Sequence, residues 1–113
     1  MKEDKTIDNK IIEKKKDIEK IDNRISQEKK LLDSYDQMEE SIGVVKNIIN
    51  DIAYYLSLSI KGKRMDKIVQ EMQENNQIAY RNSMNKLDEE RLKIKDNINK
   101  IYNKKDELQN ELD

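Results

Sequence analysis

Hydrophobic residues recur along the first half of the chain with the seven-residue period of a coiled coil. Isoleucine or leucine occupies positions 11, 18, 25 and 32, and a companion series three or four residues away contains Ile7, Ile21 and Tyr35. Spacings of three and four residues place these side chains on one narrow stripe of an α-helix. The pattern therefore predicts a long helix that packs this stripe, the seam, against one partner helix.

The spacing of this first seam changes near its middle. Leu32, Tyr35 and Met38 follow one another at intervals of three residues. Such a step, a stammer, overwinds a coiled coil locally without ending the helix. We therefore expect one uninterrupted helix whose seam resumes at Met38 and continues through Ile42, Val45, Ile49, Ile52, Ala53, Leu56 and Ile60.

The second half of the chain repeats the heptad pattern. Its two series are Tyr80, Leu87, Ile94, Ile101 and Leu108, and Met84, Ile98 and Leu112. Asn75, Asn76 and Ala79 are poor seam residues, so a less regular stretch is expected between Met72 and Tyr80.

Gly62 lies between the two halves and is the best stop signal, because glycine tolerates the left-handed backbone that ends helices. A short connection makes neighbouring helices antiparallel. The sequence thus predicts an all-α fold, a long antiparallel two-helix hairpin resembling a coiled coil. Its single domain would have one arm over about 5–58, a turn over about 59–65 and a second arm over about 66–112.

Charged residues at seam positions test the antiparallel arrangement. With a turn near position 61, residue i should face a residue near 122 minus i, which brings each misplaced charge within reach of an opposite one. These pairs would fix the register, or else the long side chains extend to solvent. The expected pairs are Lys105 with Asp17, Arg91 with Glu28, and Lys14 with Glu107 or Glu111.

The composition argues against catalysis. The chain has no His or Cys, which excludes a disulfide framework and an ordinary zinc site and removes the commonest general acid–base residue. We predict that the protein is not an enzyme and has no catalytic residues, cofactor or metal site.

The charge and apolar patterns also bear on partners and location. The net charge is −1, and the longest apolar run, 52–56, is far shorter than the roughly 20 residues of a membrane span. The charged N-terminus is unlike a secretory signal peptide. We therefore expect a cytoplasmic location, with export independent of such a signal left open, and no membrane insertion. Lys61, Lys63, Arg64 and Lys67 form a small basic cluster, which favours a solvated turn or an acidic protein partner over nucleic acid.

Residues 42–60 are more apolar than a two-helix hairpin requires. Beside the seam, Val44, Ile48 and Tyr55 form a second stripe, and together the two stripes cover about half of the helix circumference. Either the chain itself covers them, through its C-terminal arm or a short third helix, or another protein does. We favour another protein and predict a partner-binding surface of Val44, Ile48, Ile52, Tyr55 and Leu58.

Two segments of the second arm suggest a family. Residues 72–94, which include Tyr80, Leu87 and Arg91, and residues 101–108 resemble the small α-helical accessory proteins encoded beside LXG toxins in Gram-positive type VII secretion loci. The hairpin layout also resembles the wider WXG-type group. In that group a Tyr-x-x-x-Asp/Glu motif near the C-terminus contributes to export, and Tyr102 with Asp106 matches it.

The sequence also departs from that group. It has no Trp, so the Trp-x-Gly turn is missing and only Gly62 remains, and a second motif match, Tyr35 with Glu39, lies on the wrong arm. These departures disfavour a self-exported effector. The resemblance therefore implies a targeting factor that acts as a chaperone-like adaptor. It would bind the helical N-terminal domain of a cognate LXG toxin, alongside a second small helical protein, and present it for secretion. The alternatives are a self-associating coiled-coil homodimer with no export role and a hairpin that binds nucleic acid through its basic turn.

Overall fold

The computed structural model describes the backbone of residues 2–112 and the side chains of residues 6–112. It contains two α-helices, α1 (Lys2–Ser59) and α2 (Lys63–Leu112), separated by residues 60–62. The predicted all-α helical hairpin is confirmed. The connection is three residues long where the sequence suggested about seven, because both helices extend further toward Gly62.

Gly62 closes the turn through its backbone conformation. The last helical hydrogen bond of α1 runs from the Ile60 amide to the Leu56 carbonyl, at 3.0 Å. Gly62 has a φ of 134°, which L side chains rarely adopt. Its carbonyl accepts the Asp66 amide at 3.0 Å and so begins α2. Asp66 consequently lies in the first turn of α2, where a negative charge is favourable.

The described residues pack as two compact units. Unit 1 consists of Met1–Asp33 and Leu92–Asp113, and unit 2 consists of Ser34–Arg91. Each unit contains one segment of α1 and one of α2, and unit 2 also contains the turn.

Unit 1 has an apolar seam that follows the predicted heptads. Ile25, Ile94, Ile98 and Ile101 are buried, and the flanking seam residues Ile11, Ile18, Ile21, Leu32, Leu108 and Leu112 are half-buried. Ile7 is an exception at 55% exposure. Apart from Ile7, the first-arm heptad prediction is confirmed in this unit.

Two ion pairs border the seam of unit 1. Lys14 Nζ lies 3.2 Å from Glu111 Oε2, which confirms one predicted pair. Lys105 Nζ lies 2.7 Å from Asp22 Oδ1, so the predicted pairing with Asp17 is wrong. Side chains lean toward the N-terminus of their own helix, so Lys105 leans toward the turn and meets a residue of α1 nearer the turn. The hydrogen bond with Asp22 is the main cause that raises the pKa of Lys105 above its ordinary value.

Unit 2 keeps the heptad spacing of α1 where the sequence suggested a stammer. The buried or half-buried positions continue as 35, 39, 42, 46, 49, 53 and 56 without a three-residue repeat. The predicted stammer is therefore wrong. Met38, Val45 and Ile52, which the stammer would have placed in the seam, are 50%, 54% and 47% exposed. The side chains that occupy the seam in place of these three residues are polar or small.

Candidate functional site

Arg91 joins the two helices of unit 2 at the end remote from the turn. Its Nη2 atom lies 2.9 Å from Asp36 Oδ1 and 2.6 Å from Glu39 Oε2. Its Nη1 atom lies 3.2 Å from Asp88 Oδ1 on the same helix. The hydrogen bond to Glu39 is the main cause that raises the pKa of Arg91 above its ordinary value. The predicted pairing of Arg91 with Glu28 is wrong. The Arg91 side chain, like that of Lys105, leans toward the turn and therefore meets residues of α1 that lie nearer the turn.

A second group of polar contacts lies nearer the turn. Lys46 Nζ lies 4.2 Å from the centroid of the Tyr80 ring, a cation–π contact. Asn76 is buried, and its Nδ2 atom donates to the Lys46 carbonyl at 3.0 Å and to Asn50 Oδ1 at 3.1 Å. α2 runs through this segment without a break, so the expected irregular stretch between Met72 and Tyr80 is wrong. Asn76 occupies the seam because its amide has partners on α1.

These contacts decide which side of α1 faces α2. Glu39 and Lys46 are held in the seam by Arg91 and Tyr80 respectively. Successive residues of a helix are rotated by about 100°, so the residue before each of them must point away from the seam. Those residues are apolar: Met38 precedes Glu39, and Val45 precedes Lys46.

The outcome is an exposed apolar face on α1. We use this name for a set of seven residues, each between 47% and 68% exposed: Met38, Val44, Val45, Ile48, Ile52, Tyr55 and Leu58. All five residues predicted to bind a partner belong to it. Sequence reasoning missed Met38 and Val45, which it assigned to the seam. The available signal was the uninterrupted heptad through Glu39, Lys46 and Ala53.

The apolar face has a heptad spacing of its own. Met38, Val45 and Ile52 are seven residues apart, and Ile48 and Tyr55 form the companion series. This is the spacing of a helix that packs against another helix. α1 thus has two such stripes, and in unit 2 α2 covers only one of them.

A groove in unit 2 adjoins the apolar face. Its volume is about 250 Å³, and Val45 and Ile49 line it together with the small residues Ser41, Ala79 and Ser83. The opposite side of unit 2 is more polar, and the depression there is lined by Gln77 and Arg81 among others. The side of unit 2 that bears this groove is therefore apolar, and both helices contribute to it.

Tyr102 and Asp106, the candidate export motif, lie in unit 1, four residues apart on α2. Tyr102 is 37% exposed, and Lys29 Nζ lies 5.7 Å from the centroid of its ring. Asp106 is exposed. Both side chains are accessible, and their role in export remains a prediction.

The basic cluster surrounds the turn. Lys61 Nζ donates to the Ser57 carbonyl at 3.3 Å, which places a positive charge at the C-terminal end of α1. Lys63, Arg64 and Lys67 are exposed in the first turns of α2.

Among the described residues, no helix is both long and apolar enough for a membrane span, and no three potential ligands cluster as a metal site. No protein-family model, curated protein or solved structure matches the chain.

Proposed function

We propose that this chain is a non-enzymatic adaptor that binds the helical N-terminal domain of a cognate LXG toxin and helps to deliver the toxin to the type VII secretion system. The supporting observation is the apolar face of α1, where seven large apolar side chains are about half exposed. A contiguous apolar surface of this kind usually marks a protein interaction site.

Covering this face would favour association. Complete burial of a large aliphatic side chain contributes about 1.5–3 kcal/mol. A half-exposed residue therefore contributes about 1 kcal/mol when a partner covers it, and the seven residues together contribute several kcal/mol before the entropic cost of association.

The spacing of the face indicates a helical partner. An amphipathic helix fits a stripe of residues separated by three and four positions, as in other complexes of the helix-in-groove type. The toxin domain implied by the family resemblance is helical, and its apolar helices would otherwise remain exposed in the cell. A second small helical protein would extend the same assembly. Tyr102 and Asp106 lie in unit 1, outside the apolar face, so they stay accessible to the secretion machinery.

Co-purification of the chain with the N-terminal domain of the LXG toxin encoded in the same locus tests this proposal. Ile48→Asp and Tyr55→Lys place a charge on the apolar face and should abolish capture of the toxin domain. Both positions are exposed in the free chain, so circular dichroism should remain that of the native helices.

Ile78→Asp is the matched control, because Ile78 is 52% exposed on α2 and lies outside the apolar face. It should leave capture unchanged. Unchanged affinity of both face variants for the toxin domain would show that this face is not the binding surface.

A further inference from the structure

Charges in unit 2 are separated along its length. The turn end is basic, with Lys61, Lys63, Arg64 and Lys67 close together. The other end is acidic overall, because Asp36, Glu39, Glu40, Asp88, Glu89 and Glu90 outnumber Lys86 and Arg91. We call these the basic end and the acidic end. Between them, the seven residues of the apolar face are uncharged, and the exposed Asp51 lies between Val44 and Leu58 on the helix surface.

When two copies of unit 2 pack through their apolar faces, their charges are complementary in only one relative orientation. Two copies packed face to face with their turns at the same end would bring the two basic ends together. Two copies packed in opposite directions place the basic end of each over the acidic end of the other. Opposite charges favour the second arrangement and like charges oppose the first.

We propose that a second copy of this chain covers the apolar face, in an antiparallel dimer whose two-fold axis passes at the level of Asn50. The inference needs no toxin and goes beyond the proposed function. It concerns what covers the face when the toxin is absent, and the toxin would have to displace the second copy.

The heptad spacing of the face defines the register. In antiparallel helix pairs, residues of one heptad series face residues of the companion series. An axis at Asn50 places Val45 opposite Tyr55 of the second copy and Ile48 opposite Ile52 of the second copy. In the same register, Lys61 at the turn lies at the level of position 39 of the second copy, within the acidic end. The apolar and the charged patterns therefore agree on one arrangement.

The shape of α2 is compatible with this arrangement. Ile68 is 40% exposed, and it lies eleven residues, three helical turns, before Ala79 and hence on the same face. The two-fold axis brings Ile68 opposite Ser83 of the second copy. Ser83 lines the groove of about 250 Å³, which provides space for a larger side chain.

Cysteine cross-linking tests the register. The chain has no native cysteine, so engineered thiols report contacts without interference. A mixture of the Val45→Cys and Tyr55→Cys chains should form a disulfide-linked dimer under mild oxidation, because the paired Cβ atoms must approach to about 4 Å. Tyr55→Cys alone should not cross-link, because its two copies lie ten residues, about 15 Å, apart along the helices. Efficient cross-linking of Tyr55→Cys alone would overturn the antiparallel arrangement.

Charge reversal tests the complementarity of the two ends. Lys63→Glu with Arg64→Glu makes the basic end acidic, and acidic residues in the first turn of α2 favour the helix. Glu40→Lys with Glu89→Lys removes the net negative charge of the acidic end, without changing the carboxylates that bind Arg91. Each double variant should raise the dimer dissociation constant at least about tenfold, which corresponds to about 1.4 kcal/mol. An equimolar mixture of the two should dimerise more tightly than either variant alone, because the unchanged acidic end of one chain then meets the unchanged basic end of the other.

Light scattering gives the outcome that decides the proposal. The native chain should elute as a dimer of 27 kDa, twice the chain mass of 13.5 kDa, and each double variant should shift toward 13.5 kDa. A native chain that stays at 13.5 kDa at about 100 μM, or variants as dimeric as the native chain, would overturn it. Circular dichroism of each variant confirms that the helices are intact. No toxin enters these measurements, so their failure and the failure of the adaptor proposal are distinguishable.

Discussion

Unit 1 and unit 2 share the heptad spacing but fill the α1 side of the seam with different side chains. In unit 1, Ile25 of α1 is buried with Ile94 and Ile98 of α2, and ion pairs lie at the edges. In unit 2, the corresponding positions of α1 are Glu39, Lys46 and Ala53. Isoleucine and valine are still abundant there, but several of them point outward.

This difference separates two uses of the same apolar residues. An apolar residue in the seam stabilises the hairpin, whereas an apolar residue beside the seam is available to another protein. The seam of unit 2 combines buried apolar residues such as Leu87 with hydrogen bonds and ion pairs from Asn76 and Arg91, and α2 does not cover its apolar face. Among the described side chains of unit 1, the exposed apolar residues, such as Ile12 and Leu92, are scattered.

The largest expected effect comes from the apolar seam of unit 1. Ile98→Ala removes a buried side chain and should lower the free energy of unfolding by about 2–4 kcal/mol, through lost burial and the cavity that remains. Urea denaturation followed by circular dichroism measures this change. Ile78→Ala is the matched control on the same helix, and because Ile78 is half exposed it should cost less than about 1 kcal/mol. Equal losses in both variants would contradict the view that unit 1 is held by its apolar seam.

An intermediate effect is expected from the polar seam of unit 2. Asn76→Ala removes the donor to the Lys46 carbonyl and to Asn50, and should cost about 1–2 kcal/mol by leaving these acceptors without that partner. The neighbouring Asn75 is exposed, so Asn75→Ala should change the free energy of unfolding by no more than about 0.5 kcal/mol. Thermal denaturation of the two variants gives the comparison. If Asn76→Ala were as stable as the native chain, the hydrogen bonds of Asn76 would not explain why this residue lies in the seam.

The smallest expected effect concerns a glycine in unit 2. Gly43 lies within α1, and a Cβ atom built there would meet no other atom within 4 Å. Gly43→Ala should therefore raise the free energy of unfolding by about 0.5–1 kcal/mol, because alanine restricts the unfolded chain and favours the helix. Gly62→Ala is the contrasting variant. Its φ of 134° is unfavourable for alanine, so this change should destabilise the turn. A loss of stability in Gly43→Ala would show that position 43 requires glycine.

Much of the fold followed from spacing alone. The heptads of Ile94, Ile101 and Leu108 predicted α2, and Gly62 marked the turn. Ile48 and Tyr55 were predicted to bind a partner because α1 has more apolar residues than one neighbour can cover; both are exposed, and partner binding remains a prediction. The exposure of Met38 and Val45 was not predicted. A pattern that assigns apolar residues to the seam in preference to charged ones places both residues in the seam.

Local sequence determined that the chain is helical and that each helix has a seven-residue repeat, because helix geometry converts spacings of three and four residues into a stripe. Only the tertiary structure decided which stripe of α1 faces α2 in unit 2. That choice depends on contacts between side chains that are distant in sequence. Arg91 forms an ion pair with Glu39, the Tyr80 ring makes a cation–π contact with Lys46, and Asn76 donates a hydrogen bond to Asn50. These contacts bring polar residues of α1 into the seam, and the rotation of the helix leaves the adjacent apolar residues exposed.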